Sequence, residues 1–220
     1  MHTATRKGSC SGADIGKKNK TYLVAKRALD VIASAIGLVL FFLPMVLIVL
    51  LIKLESPGPA IFVHKRIGKN GENLPLLKFR SMHANAEDMI NEFSPEQRAE
   101  WEENFKLEND PRITRVGKFL RKSSLDELPQ LINILRGELS VVGPRPVVTE
   151  ELERYGENKE KFLSVTPGLT GYWQAYARST CSYEQRMKME LYYVENANFW
   201  WDIRIIIATV GVVLRGKGAK

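Results

Sequence analysis

The sequence predicts a mainly helical α+β protein. A small cytosolic domain (residues 56–220) hangs from a membrane-inserted helix (26–55) that follows a basic tail (1–25). Three observations predict it. Residues 31–52 run for 22 positions without a charge. Five later segments read as helical and only two short runs as strands. Prolines and glycines gather in tight turns rather than in long linkers. A chain of 220 residues suits one domain with an appendage and buries a sizeable core.

The tail is polar, with five bases and one acid in its first 20 residues. Lys26 and Asp30, four apart, read as a surface pair on the helix that enters the membrane. As a straight helix, 31–52 would be about 33 Å long, against a hydrocarbon core of roughly 30 Å. It starts thirty residues into the chain with no small-residue cleavage site behind it, which argues against a signal peptide. Pro44 divides it into 13 and 8 residues, each too short to span alone. Lys17, Lys18, Lys20, Lys26 and Arg27 precede it; Lys53, Lys65, Arg66 and Lys69 follow. Basic flanks prefer the cytoplasmic side, so two of them favour a re-entrant helix kinked at Pro44 over a single crossing, although both readings stay open.

Ser56-Pro57-Gly58-Pro59 forces a turn. Residues 60–63 and 74–79 read as strands joined by a turn at 68–73. Residues 84–107 look helical, with Met89, Ile90, Phe93, Trp101 and Phe105 forming an apolar stripe broken at Ser94-Pro95. A short basic helix is expected over 114–121 and an apolar one over 125–136, stopped by Gly137. Residues 141–146 form a buried run ending in a rigid turn, and 167–171 a second rigid turn. Residues 182–196 are amphipathic. Residues 198–214 begin with Phe199, Trp200 and Trp201, then become apolar. They suit either the headgroup layer, as an interfacial amphipathic helix, or the core.

The net charge of +7 is unevenly spread. Residues 84–110 carry nine acids and two bases, leaving +14 on the rest. A basic body suits a phosphate-bearing partner: nucleic acid, an anionic membrane or a phosphorylated substrate. No recognition-helix or base-stacking motif supports nucleic acid. Two cysteines exclude a disulfide framework, and three scattered histidines argue against a histidine metal centre. Walker, GxGxxG, HExxH and GxSxG motifs are absent.

Two motifs carry chemistry. In Ser123-Ser124-Leu125-Asp126-Glu127-Leu128-Pro129, Ser124 and Glu127 have capping-box spacing, and acids suit a helix N-terminus. Yet Lys118, Arg121 and Lys122 come just before, and a basic approach to paired carboxylates fits a site holding phosphate and magnesium together. In Gly143-Pro144-Arg145-Pro146, two prolines stiffen the backbone around one arginine, suiting it to bidentate phosphate binding. Lys78 and Arg80 add cations at a strand end. Thr166-Pro167-Gly168-Leu169-Thr170-Gly171 reads equally as a hairpin corner or a ligand contact.

The string 110–131 (DPRITRVGKFLRKSSLDELPQL), then VVGPRP at 141–146 and TPGLTG at 166–171, closely resembles the bacterial sugar transferases, monotopic polyprenyl-phosphate phosphoglycosyl transferases. The likeness runs from about Lys26 to the C-terminus, and only a 25-residue tail precedes it where larger relatives carry further membrane helices and another domain. The resemblance implies transfer of a sugar 1-phosphate from a UDP-sugar to undecaprenyl phosphate, with release of UMP and a requirement for Mg2+. It places the enzyme at the cytoplasmic membrane, against inner-leaflet lipids, where it starts exopolysaccharide, capsule or other glycoconjugate assembly. It also implies that Asp126 is the nucleophile in a ping-pong scheme, with Glu127 beside it at the metal. Lys78, Arg80, Arg121, Arg145 and Glu190 become substrate-site residues. Close relatives have aspartate at position 190, and the family's serine before the helix-breaking proline is Leu43 here. The sugar, the oligomeric state and the role of 84–110 stay open. The rival reading is a membrane-anchored scaffold without activity, in which Asp126 and Glu127 are only caps.

Overall fold

The computed structural model describes residues 20–104, 107, 109–177 and 181–214. Most of the expected tail, and Phe105 of the expected stripe, lie outside them. The first helix, α1 (Lys20–Glu55), takes in the last residues of that tail and is 36 residues long, about 54 Å at 1.5 Å per residue. It passes through Pro44 without interruption. Proline has no N–H, so the carbonyl of Leu40 lacks its usual donor there.

The apolar surface of α1 is mostly bare. A single stripe touches the rest of the molecule: Asp30, Ser34, Ile48 and Ile52 are buried, and Lys26, Gly37, Met45 and Val49 partly so. Between the two docked parts, all six residues 39–44 are exposed. Six residues cover every face of a helix, so α1 stands clear of the domain just before Pro44 and docks on either side of it.

The docking is polar at one end and apolar at the other. Lys26 and Asp30 do not form the expected surface pair, because each finds a distant partner. Lys26 Nζ donates to Asp202 Oδ2 at 2.9 Å and to the Val142 carbonyl at 2.8 Å. Asp30 Oδ1 accepts from the Val141 N–H at 2.8 Å and the Ser140 hydroxyl at 3.0 Å. At the far end, Ile48 and Ile52 pack with Ala60, Phe79 and Leu120.

The chain then forms an antiparallel hairpin, β1 (Ile61–Ile67) and β2 (Asn73–Phe79). Its turn places Asn70 and Gly71 at φ of 56° and 82°, the left-handed conformation these two residues best tolerate. The expected helix over 84–107 is instead a short 3-10 turn (Asp88–Glu92) followed by α2 (Pro95–Asn104). Ser94 and Gln97 cap each other's backbone N–H groups and Pro95 follows, so a new helix starts there. Next comes α3 (Arg115–Ser123), capped by Thr114.

The expected helix over 125–136 is also divided, into a 3-10 turn (Leu125–Glu127) and α4 (Gln130–Arg136). The capping box does not form. Ser124 closes α3 in the left-handed conformation, whereas an N-cap is normally extended, and its side chain caps nothing.

Residues 167–171 are not a turn. They contain β4 (Gly168–Thr170), parallel to β3 (Ser140–Val142). A Cβ on Gly168 would lie 2.0 Å from the Gly143 nitrogen, so only glycine allows the two segments to touch. Short helices α5 (Thr149–Glu153), α6 (Lys159–Leu163) and α7 (Tyr172–Tyr176) have no clear sequence signal. They lead to α8 (Tyr183–Asn196), opened by a Ser182–Gln185 capping box, and to α9 (Phe199–Leu214). One face of α9 buries Asp202 and Ile205; another exposes Trp200, Ile207 and Val210. The core reading therefore holds for only part of this helix.

Asp30→Ala leaves the Val141 N–H and the buried Ser140 hydroxyl without their acceptor. We expect a loss of about 2–3 kcal/mol in unfolding of the detergent-solubilised protein. Asp30→Asn, which keeps an acceptor oxygen, should lose less than half of that.

Candidate functional site

The hairpin, the 3-10 turn before α4 and the Pro-Arg-Pro loop meet in one cleft, lined by Arg66, Lys78, Glu127, Gln130, Arg145 and Gly168. Lys78 sits one residue from the end of β2 and alternates to the face opposite buried Phe79. Its ammonium donates to Glu127 Oε1 at 2.9 Å and lies 3.7 Å from Asp126 Oδ2. Successive residues of a helix point apart, yet both carboxylates reach this one ammonium. Asp126 is largely buried, with its side chain 13% exposed. Burial pushes its carboxyl above the usual carboxylate range, and the Glu127 charge adds to this, against Lys78 and Arg121.

Arg121, on the last turn of α3, donates from Nε to Ser81 Oγ at 2.8 Å. Asp126 and Asp110 both act on its guanidinium electrostatically. Arg80 is turned away from the cleft. Its guanidinium donates to the Ser56 and Pro57 carbonyls at 2.8 and 2.7 Å and to Ser56 Oγ at 2.9 Å. It fastens the turn after α1. Pro44 lies on the exposed part of α1, apart from the cleft.

Arg145 is carried by a backbone pinned at several points. Gly143 N–H donates to the Thr170 carbonyl, and Gly168 N–H to the Pro144 carbonyl. Glu190, on α8, is 2% exposed and accepts from the Arg145 N–H at 3.2 Å. It also accepts from the Tyr155 hydroxyl and from Arg186 Nε at 3.4 Å. Burial pushes the Glu190 carboxyl up. Its contacts make it a support for the arginine loop, behind the cleft wall.

The structure brings Lys78, Glu127 and Arg145 into one cleft, holds Asp126 beside it through Lys78 and sets Arg121 within electrostatic reach of Asp126. It adds two residues that sequence reasoning missed. Arg66 shares an alternating face of β1 with His64, and Gln130 follows Asp126 and Glu127 by four and three residues. The strand alternation and the one-turn spacing were visible; the cleft that unites them was not. Arg66 Nη1 is 3.2 Å from Glu151 Oε2. His64 is pushed down to about 4, first by burial and then by the Arg66, Lys78 and Arg145 charges, so it is neutral at pH 7. Among the described residues, no group of three or more His, Cys, Asp or Glu side chains is placed to hold a metal.

The model of the bacterial sugar transferase family matches residues 21–216. The UDP-galactose-lipid carrier transferase of Erwinia amylovora is 44% identical over 94% of this chain and 43% of its own length. The undecaprenyl-phosphate galactose phosphotransferase of Salmonella typhimurium is 44% identical over the same shares. The exopolysaccharide production protein ExoY of Rhizobium meliloti is 44% identical over 89% of this chain and 88% of its own length. The chain thus spans less than half of the first two relatives and most of the third. The matched region contains α1 from its second residue and all the cleft residues named above, and by that match the chain belongs to the bacterial sugar transferase family.

Proposed function

We propose that this protein is a phosphoglycosyl transferase of the cytoplasmic membrane. It moves a sugar 1-phosphate from a UDP-sugar to undecaprenyl phosphate and releases UMP, the first step of an exopolysaccharide, capsule or related glycan. The observation that carries the reading is the pair Asp126 and Glu127, both against Lys78, with Lys78 and Glu127 lining a cleft that also holds Arg145, on a domain hung from a long apolar helix. The names of the relatives supply the polyprenyl acceptor and the sugar donor.

The chemistry follows from the groups present. A diphosphate brings negative charge that repels a carboxylate nucleophile. Lys78 and Arg145 offset it, and Arg145 is held on a stiff loop ready for bidentate contact. An Asp126 oxygen attacks the phosphorus next to the sugar. An aspartyl O–P bond forms, the bridging P–O bond breaks and UMP leaves with the bond's electrons. An oxygen of the lipid phosphate then attacks the same phosphorus and frees Asp126. Asp126 and Glu127 also suit magnesium: they are hard oxygen donors, and this ion commonly takes one or two carboxylates with phosphate and water oxygens. Bound there, it would supply charge neutralisation at the diphosphate. Lys78 keeps both carboxylates directed into the cleft, and Glu190 positions Arg145.

The soluble donor and the lipid acceptor must meet at headgroup height. A re-entrant α1 with its apex at 39–44 gives that geometry, because both docked parts return to the same domain. The exposed apolar face of α9, with Trp200 near its start, would lie among inner-leaflet headgroups.

Membranes containing the protein, given UDP-sugars and undecaprenyl phosphate, should release UMP. Asp126→Asn should abolish release, and quenching the wild-type reaction should trap a phosphosugar on Asp126. No UMP from any donor would leave the scaffold reading. With the native cysteines replaced, cysteines at positions 20 and 65 should both label from the cytoplasmic side; labelling from opposite sides would exclude re-entry.

Asp126 also sets a pH signature. Its folded-state pKa is raised, so the folded protein holds the proton more tightly than the unfolded chain and ionisation opposes folding. Asp126→Asn should raise Tm at pH 7. The gain should shrink as pH falls through the raised value and vanish below the ordinary aspartate value, where both states are protonated. Wild-type turnover should fall along the same acid limb.

A further inference from the structure

We propose that Arg66 and Gln130 are substrate-binding residues that hold non-bridging phosphate oxygens of the donor, completing the anion site begun by Lys78 and Arg145. The proposal rests on the reading of this cleft as the diphosphate site.

Gln130 is the first residue of α4 and is 3% exposed. Its Nε2 is buried without a hydrogen-bond partner. Buried polar groups in folded proteins are nearly always paired, and an amide donor left alone destabilises the fold. This donor borders the cleft that also contains Arg66, Lys78 and Arg145. Gln130 follows Glu127 by three residues and Asp126 by four, so one turn brings the carboxylates and the amide to the same place.

Arg66 lines the same cleft from β1. Its ion-pair partner Glu151 is shared: the second oxygen of Glu151 lies 3.5 Å from Arg186 Nη1. The polar side chains lining the cleft are Arg66, Lys78, Gln130 and Arg145 against one acid, Glu127. Three are cations that only donate, and the fourth has a donor unused. A neutral His64 beside Arg66, Lys78 and Arg145 adds no negative charge to balance them. Such a lining calls for a ligand rich in acceptor oxygens and carrying negative charge. A phosphate group has both properties, whereas a sugar hydroxyl also needs acceptors.

The variant that separates binding from folding is Gln130→Met, close in size but without the unpartnered N–H. Its unfolding temperature should equal or exceed that of the wild type. Its KM for the UDP-sugar should rise about ten- to a hundredfold, the range for losing a hydrogen bond to a charged group. Gln130→Glu should be worse, because it sets a carboxylate against the phosphate. Arg66→Lys should recover part of the affinity lost in Arg66→Gln, since it keeps the charge but not the fork. The binding readout is the thermal shift given by UDP and by inorganic pyrophosphate with magnesium, expected for the wild type and weakened in each variant. A lower unfolding temperature for Gln130→Met with unchanged KM would make Gln130 structural and overturn the proposal. So would a preserved pyrophosphate shift with weakened UDP-sugar binding, which would place the amide on the sugar. If the wild type released no UMP from any donor, the transferase reading would fail, while the two thermal shifts would still decide whether Arg66 and Gln130 bind phosphate.

Discussion

Buried charge at the first docked part of α1 fixes how this long apolar helix sits on the domain. Lys26 reaches Asp202, which is fully buried and also accepts from the Tyr22 and Tyr193 hydroxyls. Asp30 holds the backbone of β3. Removing such groups from water costs several kcal/mol each, so they add little net stability over an apolar contact. They do specify one arrangement. A greasy helix slides easily on a greasy surface; a helix whose carboxylate must meet the Val141 N–H does not.

That arrangement passes directly into the cleft. From β3 the chain continues into Gly143-Pro144-Arg145-Pro146, so the segment gripped by Asp30 carries the arginine. At the other end of α1, Glu55 accepts from the Arg115 and Val116 N–H groups at the start of α3, at 2.7 and 3.0 Å. The far end of α3 delivers Asp126. The two ends of α1 thus brace two parts of the site, one through the arginine and one through the carboxylates. The placement of both sets of side chains is therefore set by how α1 docks on the domain.

Much of this was legible because its causes are local. The charge-free run, the turn at 68–73 and the paired carboxylates each need only a few neighbouring residues. The failures share a different origin. Lys26 and Asp30 have the spacing of a helix pair, but Asp202 and Val141, more than a hundred residues away, hold them instead. Residues 167–171 have a turn's composition, yet the same glycines let β4 lie against β3. Glu190 lacks any motif that reports its burial behind Arg145. Arg66 and Gln130 are ordinary on β1 and α4 until the fold places them in one cleft.

Ser124 shows why a local rule gives way at this spot. By spacing it should open a helix with Glu127 as its reciprocal cap, at a gain of about 1 kcal/mol. Instead it takes a left-handed backbone with φ of 58°, unusual for a residue with a side chain. Forming the cap would commit the Glu127 carboxylate to the Ser124 N–H, which here donates to the Arg121 carbonyl. It would draw that carboxylate away from Lys78. The left-handed turn frees Glu127, and the tight 3-10 geometry that follows sets Asp126 and Glu127 where one ammonium holds both. Local stability is given up at the turn that presents Asp126 and Glu127 to Lys78, as expected where local sequence preference and the demands of a site conflict.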